Sequence, residues 1–171
     1  MSGAALYHRA LVELARDTRF AGRLQEPKRT ITLDNPLCGD RVTLDVTIAG
    51  DRLTACRHKV RGCLLCQASA AMLAAHGVGV PTAELHAQAD AIAAWLARAD
   101  DAGADAGAAT AAIGQDVQGQ DVHVRLPELE TFAPVRPFRS RHRCVLLPFE
   151  ALQRLLDEDS ATAPTDQSAR A

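Results

Sequence analysis

The chain has 171 residues, 47% of them apolar and 23% charged, enough for one domain with a proper core, so metal is not needed to replace a missing one. A net charge of -2 with mixed signs gives no general reason to expect nucleic acid or an anionic membrane as partner. No apolar run approaches the roughly 18 to 20 residues of a spanning helix, and Arg9, Glu13, Arg16 and Asp17 interrupt the stretch where a signal-peptide core would lie. A cytoplasmic protein is therefore expected. Its five cysteines would there stay reduced, which favours metal or sulfur chemistry over disulfides. With aromatics at 4% and alanine abundant, the core should be aliphatic and helix-rich.

In chain order, Leu6, Ala10, Leu11, Leu14 and Ala15 recur at helical spacing and predict an amphipathic helix over about 4 to 18. Its polar face, with Arg9, Glu13, Arg16 and Asp17, is a solvated surface or a docking surface. Residues 20 to 29, with Gly22 and Pro27, read as a loop. Thr30 to Leu33 can form a short strand, and Asn35-Pro36 then punctuates the chain. Gly39 permits a tight turn between Cys38 and Asp40. Val42, Leu44, Val46 and Ile48 alternate with Arg41, Thr43, Asp45 and Thr47, the period of a half-buried strand. A turn at Ala49-Gly50-Asp51 returns the chain through Leu53 to Val60, so antiparallel pairing should bring Gly62-Cys63 back beside the Cys38 loop.

From Leu64 to about His76 the pattern turns helical, with Leu65, Ala68, Ser69, Met72 and Leu73 on one face. Cys63 stands at the start of this helix, where exposed N-H groups and the dipole favour a thiolate. Gly77 and Gly79 should end it. Another helix is expected over about 82 to 98, with Leu85, Ala89, Ile92, Ala93 and Leu96 inward and Trp95 at its edge. Residues 99 to 122, poor in large apolar groups, read as a flexible insertion or a short alanine-rich helix. Leu126 to Phe132 can hold a short helix, and Pro134 and Pro137 exclude a regular one before Ser140. Cys144 should sit near the start of a last helix that either begins just ahead of Pro148 or kinks there. The expected organisation is one domain over 1 to 158 and a disordered tail over 159 to 171.

Cys63-x-x-Cys66 alone is a weak signal, and a hairpin rather than a βαβ unit precedes it, which disfavours thioredoxin-like redox catalysis. Cys66 and Cys56 read as small core residues, and His58 as a satisfied polar residue. His142, two residues before Cys144, is a candidate ligand. His8, His76, His86 and His123 show no ligand spacing. Cys38, Cys63 and Cys144 together with Asp40 are far more specific: two thiols held by a hairpin and a third from a distant helix would form one metal or cluster site. Asp40 adds a hard oxygen ligand that suits zinc and holds an iron-sulfur cluster less firmly than a fourth thiolate would. A non-catalytic, zinc-stabilised interaction module is the alternative reading from another class.

The Leu6-Tyr7 helix start, NPLCGDRVTL, GCLLCQASAAM and SRHRCVLLPFEAL, in that order, resemble the IscU/SufU/NifU-N family of iron-sulfur cluster assembly proteins. The resemblance covers about residues 5 to 157 apart from the insertion. Arg143 stands where IscU-type members have a histidine before the third cysteine, and the connection from Cys63 to Cys144 is much longer than theirs, both of which point to the SufU branch. VRPFRSRHRC replaces the IscU-type chaperone-binding motif, which argues against a dedicated chaperone partner. The resemblance implies an α+β fold, a three-stranded antiparallel sheet with helices on one face and the metal site at one end. It further implies Cys38, Asp40, Cys63 and Cys144 as ligands of Zn(II) or of a transient [2Fe-2S] cluster, and a cysteine desulfurase and downstream acceptor proteins as partners. In the same family reading Cys144 accepts the sulfur and Arg141 supports its thiolate.

Overall fold

The structure is a computed structural model and describes residues 3 to 98, 112 to 115, 121 to 123 and 126 to 162. Helix α1 (Gly3–Ala15) is followed by strands β1 (Arg29–Asp34), β2 (Arg41–Ala49) and β3 (Arg52–Arg61), then helices α2 (Leu64–Gly77) and α3 (Thr82–Ala97). A short hairpin of β4 (Ala112–Gln115) and β5 (Asp121–His123), a 3-10 helix (Leu129–Val135) and helix α4 (Arg139–Thr162) complete it.

The first three strands form an antiparallel sheet in the order β1-β2-β3, as the alternating pattern predicts. Val42, Leu44 and Val46 pair with Val60, His58 and Cys56, and this face carries α2 and α4. Helix α1 packs on α2, and α3 on α4. Alanines 68, 70, 71 and 74 of α2 are buried, and the absence of long side chains lets this helix approach its neighbours closely. Among the described residues no helix is long and apolar enough to cross a membrane.

The opposite sheet face departs from simple alternation. Asp45 is fully buried although it stands between two core residues on a strand. Its carboxylate accepts hydrogen bonds from Arg23 Nε at 2.5 Å, the Leu24 N–H at 3.0 Å and Thr30 Oγ1 at 2.7 Å. The segment before β1 thus crosses the middle strand and is pinned to it, while Ala21 pairs with the free edge of β3 at His58.

Three stretches sharpen or correct the sequence expectations. Of the insertion expected over 99–122 as flexible or as a short alanine-rich helix, residues 112–115 pair as a strand with 121–123 against α3, and the rest of 99–122 lies outside the described residues. The short helix before α4 is 3-10 and includes Pro134, which this tighter geometry accommodates over two turns. Of the two readings of the last helix, only a start just ahead of Pro148 is overturned: helix α4 runs from Arg139 through Thr162, past 158, with Pro148 inside. Proline has no N–H to offer the carbonyl four residues back, so the carbonyl of Cys144 loses its helical partner, at the turn that carries the third thiol. The remaining tail, 163–171, lies outside the described residues.

Candidate metal centre

The sheet register builds the site. Asp34 pairs with Arg41 and Arg41 with Arg61, so the loop from β1 to β2 and the turn from β3 into α2 leave from the same end of the sheet. The first loop is cinched by the Asn35 N–H to the Asp40 carbonyl at 2.7 Å and the Gly39 N–H to the Asn35 carbonyl at 2.8 Å. Asn35 Oδ1 also accepts the Leu37 N–H at 3.1 Å. Gly39 has φ of 76°, the left-handed conformation that glycine takes without a Cβ penalty. The loop therefore exposes Cys38 and turns Asp40 inward, where it is 2% exposed.

Asp40 bridges the two motifs. Its Oδ1 accepts the Cys63 N–H at 2.8 Å and its Oδ2 accepts the Cys63 thiol at 3.1 Å. The approach is close because residue 62 is glycine: a Cβ there would stand 2.7 Å from Asp40 Oδ1. Cys144 enters from α4, held against α2 by the Ser69 hydroxyl, which donates to the carbonyl of Val145 at 2.5 Å. Its Sγ lies 3.7 Å from that of Cys38. The ligand atoms of Cys38, Asp40 and Cys144 all lie within 4.8 Å of one another, and Cys63 joins them through Asp40.

Cys38, Asp40 and Cys144 stand close enough to share one metal ion, and Cys63, outside that group of three, is held beside it by Asp40. With zinc–thiolate bonds of about 2.3 Å, two sulfurs on one ion stand ~3.8 Å apart, and the Cys38–Cys144 separation is 3.7 Å. Three soft thiols with one carboxylate suit zinc or an iron-sulfur cluster far better than a hard oxygen-seeking cation.

The electrostatics of the corner place its charge on oxygen. Burial pushes the Asp40 carboxyl up, but hydrogen bonds from the Cys63 N–H and from the thiols of Cys63, Cys38 and Cys144 outweigh it and hold the group below the usual carboxylate range. Burial first, and the thiol of Cys38 and the charge of Cys63 next, push the Cys144 thiol up. For Cys63 the expectation of a favoured thiolate is reversed. Burial and the neighbouring carboxylate of Asp40 raise its pKa, and the Cys66 N–H at the helix start does not compensate. A cation would reverse this balance, since it stabilises every anion around it.

The other candidates fall outside the cluster. Cys66 is fully buried and Cys56 is 3% exposed, its thiol pushed up to about 12 by burial, so both are core residues. His58 is also buried, and its Nε2 has no hydrogen-bond partner, so it is less satisfied than its spacing suggests. His142 is no ligand here: its Nε2 meets the Arg136 carbonyl at 2.8 Å. Arg143 leans toward Glu150 at 3.9 Å. Arg141 is exposed, one helical turn before Cys144, with no side-chain partner among the described residues. Gly62 and Arg136 were not legible as site residues. Arg136 donates to the carbonyls of Trp95 and Arg98, stacks 5.2 Å over the Trp95 ring, and offers its own carbonyl to His142. It thereby fastens the end of α3 to the approach to Cys144.

The sequence model described as NifU-like N terminal domain matches residues 6–113, a span holding Cys38, Asp40 and Cys63, with Cys144 beyond it. No curated protein matches the chain. Among solved structures, the N-terminal part of a nitrogen-fixing NifU-like protein from Brucella abortus is similar at 27% identity and TM-score 0.72, covering 92% of this chain and 96% of that one. A hypothetical protein with 24% identity and TM-score 0.69 covers 90% and 98%. A putative iron-sulfur cluster assembly scaffold protein for the SUF system from thermophilic Fervidobacterium islandicum has 19% identity and TM-score 0.70, covering 91% and 99%. The last two speak to the fold alone, and that fold extends over the segment bearing Cys144. With the matched span covering more than half of the residues and the CGD and GC turns in place, the chain belongs to the NifU-like N-terminal domain family.

Proposed function

We propose that this chain is an iron-sulfur cluster assembly protein that accepts sulfur from a cysteine desulfurase, with Cys38, Asp40, Cys63 and Cys144 holding Zn(II) in the resting state. One observation carries the reading: three thiols and a buried carboxylate meet at one corner, and a single thiol of the three, Cys38, is exposed. When bound, zinc would keep the thiols deprotonated and ordered.

The accessibility of the thiols sets the order of events. Cys144 is fully buried, whereas Cys38 is exposed and its sulfur lies 3.7 Å away. An arriving donor reaches Cys38 first. The Cys38 thiolate attacks the outer sulfur of the donor persulfide, and the donor cysteine leaves as its thiolate. Cys144, the acceptor by family analogy, can then take the same sulfur from Cys38 by a second exchange that returns the Cys38 thiolate. Both steps are redox-neutral. Asp40 keeps Cys63 in place through its backbone and thiol while this occurs.

The test is single-turnover transfer of labelled sulfur from a cysteine desulfurase. Cys38→Ala is expected to abolish acceptance, and Cys144→Ala to leave sulfur stranded on Cys38. Full transfer to Cys38→Ala would overturn the order proposed. A second reading, a scaffold that builds a transient [2Fe-2S] cluster as cargo, is favoured by the hard oxygen ligand Asp40. Metal content and visible spectrum of protein purified without oxygen separate the two. About one zinc per chain without colour supports the first; equal iron and sulfide with a brown colour supports the second.

A further inference from the structure

The contact between two of the thiols, which suits a shared ion, also suits a reaction between them. Cys38 Sγ and Cys144 Sγ are 3.7 Å apart. That lies within the roughly 3.5–4.0 Å of ordinary contact between heavy atoms, so no further atom fits between the two sulfurs.

The third thiol is tied elsewhere. Cys63 donates its thiol to Asp40 Oδ2 at 3.1 Å and its N–H to Oδ1 at 2.8 Å, and it stands outside the group of ligand atoms that lie within 4.8 Å of one another. Cys66, one helical turn on, is fully buried in the core. The pair in contact is therefore one loop thiol and one helix thiol, and each is fixed through its backbone. The left-handed turn at Gly39 sets Cys38, and the Ser69 hydroxyl, donating to the Val145 carbonyl, sets Cys144.

Unequal exposure decides which sulfur would face which. Cys38 is exposed and Cys144 is 0% exposed. A sulfur added to Cys38 has no place between the two side chains, so it points outward to solvent. Cys38 Sγ, the inner sulfur of that persulfide, then faces Cys144 with the outer sulfur on its far side. Attack by a thiol sulfur runs nearly in line with the bond that breaks, and this is the arrangement that displaces the outer sulfur. Handing the sulfur on to Cys144 requires instead that the outer sulfur turn inward, against the contact.

We infer that Cys38 and Cys144 form a dithiol that reduces the delivered sulfur and releases it as sulfide. This rests on the sulfur-acceptor reading above, and it gives the same sulfur a second fate beside transfer to Cys144. The Cys144 sulfur bonds to Cys38 Sγ, the bond from Cys38 Sγ to the outer sulfur breaks, and the outer sulfur leaves as hydrosulfide. Starting from the persulfide anion and the Cys144 thiol, the thiol proton ends on the departing sulfur, so atoms and charge balance with no co-reactant. The delivered sulfur gains two electrons, and the two cysteines lose two in becoming a disulfide. Their sulfurs close from 3.7 Å to the ~2.05 Å of that bond. A low-molecular-weight thiol or a dithiol protein restores the pair for another turn. The product is the inorganic ion that iron-sulfur clusters contain, and the disulfide withdraws two of the four candidate ligands until it is reduced.

The experiment uses the full chain without oxygen and without added thiol, loaded either by a cysteine desulfurase with cysteine or by a small-molecule persulfide, and then separated from the donor. Sulfide is assayed in solution, and the cysteines are mapped by mass spectrometry. Loaded wild type is expected to release about one sulfide for each Cys38–Cys144 disulfide formed, and to regain its zinc capacity only when a thiol reductant is added. Unloaded wild type should form no disulfide. Cys144→Ser should keep its persulfide on Cys38 and release sulfide at least ~10-fold more slowly, whereas Cys66→Ala should release it as wild type does. A stable persulfide on loaded wild type, a Cys63–Cys66 disulfide in place of the expected one, the same disulfide without loading, or equal release from Cys144→Ser overturns the inference. Sulfide and disulfide after chemical loading, with no loading by the desulfurase, would overturn the acceptor reading and leave the dithiol chemistry standing. Failure of both donors to load Cys38 overturns both.

Discussion

Replacing Gly62 by alanine isolates the contact that joins the two cysteine motifs. Gly62 is not among the residues with left-handed backbone, so alanine imposes no strain there, and by itself the change should stabilise slightly by stiffening the unfolded chain. The obstacle is Asp40: the new Cβ would meet its Oδ1 at 2.7 Å, its Cγ at 2.8 Å and its Cβ at 3.0 Å. To reach ordinary contact the carboxylate must retreat by about 0.7 Å or more. The bond from the Cys63 N–H, now 2.8 Å, would then lie outside hydrogen-bonding range. Loss of a hydrogen bond to a charged group costs about 1.5–3 kcal/mol. For a domain of this size that is a fall of about 3–12 °C in melting temperature. Zinc affinity should fall about 10–100-fold, as when a residue that orients a ligand is lost. Differential scanning calorimetry and competition with a zinc chelator measure both. The same substitution in an Asp40→Gly background should add less than ~0.5 kcal/mol, because nothing is left to displace. Equal losses in both backgrounds, or wild-type zinc affinity in the single variant, would refute the reasoning.

Cys66→Ala should cost about 1 kcal/mol of core packing and leave metal stoichiometry unchanged, and loss of metal in that variant would make Cys66 a ligand after all. Asp45→Asn should destabilise by about 2–4 kcal/mol, since the amide keeps only one of the two oxygens that accept from Arg23, Leu24 and Thr30 and carries no charge for Arg23, although the half-exposed Arg23 softens the loss. Burial raises the Asp45 pKa, but its three hydrogen bonds lower it more, so the folded value lies below the unfolded one. The stabilisation is therefore present above about pH 4 and is lost as pH falls through the folded value. Urea unfolding from pH 6 down to pH 2 should show this decline in wild type and a flatter profile in Asp45→Asn. Arg136→Ala should lower stability by about 1–2 kcal/mol through the freed carbonyls of α3, and near-ultraviolet circular dichroism from Trp95 should change with it. An unchanged Trp95 signal would mean that the stacking is not present in solution.

How much could be read from the sequence depended on whether a feature was local. The strict alternation from Arg41 to Ile48 and the turn at Gly50 sufficed for the hairpin, and the hairpin sufficed to bring Cys63 to the Cys38 loop. The end of α2 and the span of α3 were legible because small residues and glycines punctuate them. What escaped depends on partners distant in sequence. Asp45 looked like the polar half of an alternating strand, and it is buried because a segment some twenty residues earlier folds across it. Pro148 carries a strong local signal to end or begin a helix. The apolar face of Val145, Leu152, Leu155 and Leu156, all buried, overrides that signal and keeps α4 continuous.

The reversal at Cys63 follows from the same limitation. A cysteine at a helix start is drawn toward the thiolate by fields that the sequence makes visible, the N–H groups of the next turn. The opposing group, Asp40, is separated by two strands and becomes a neighbour only through the sheet register and the missing Cβ at Gly62. Asp40 is the stronger acid, so it keeps the charge and Cys63 keeps its proton. The corner then favours the anion on Asp40, and the thiols of Cys63 and Cys144 keep their protons unless a cation stands beside them. In the acceptor reading, zinc held by these residues would favour their thiolates over their thiols, so that metal binding and thiol activation would be linked. Exposure makes Cys38 the ligand that a sulfur donor reaches.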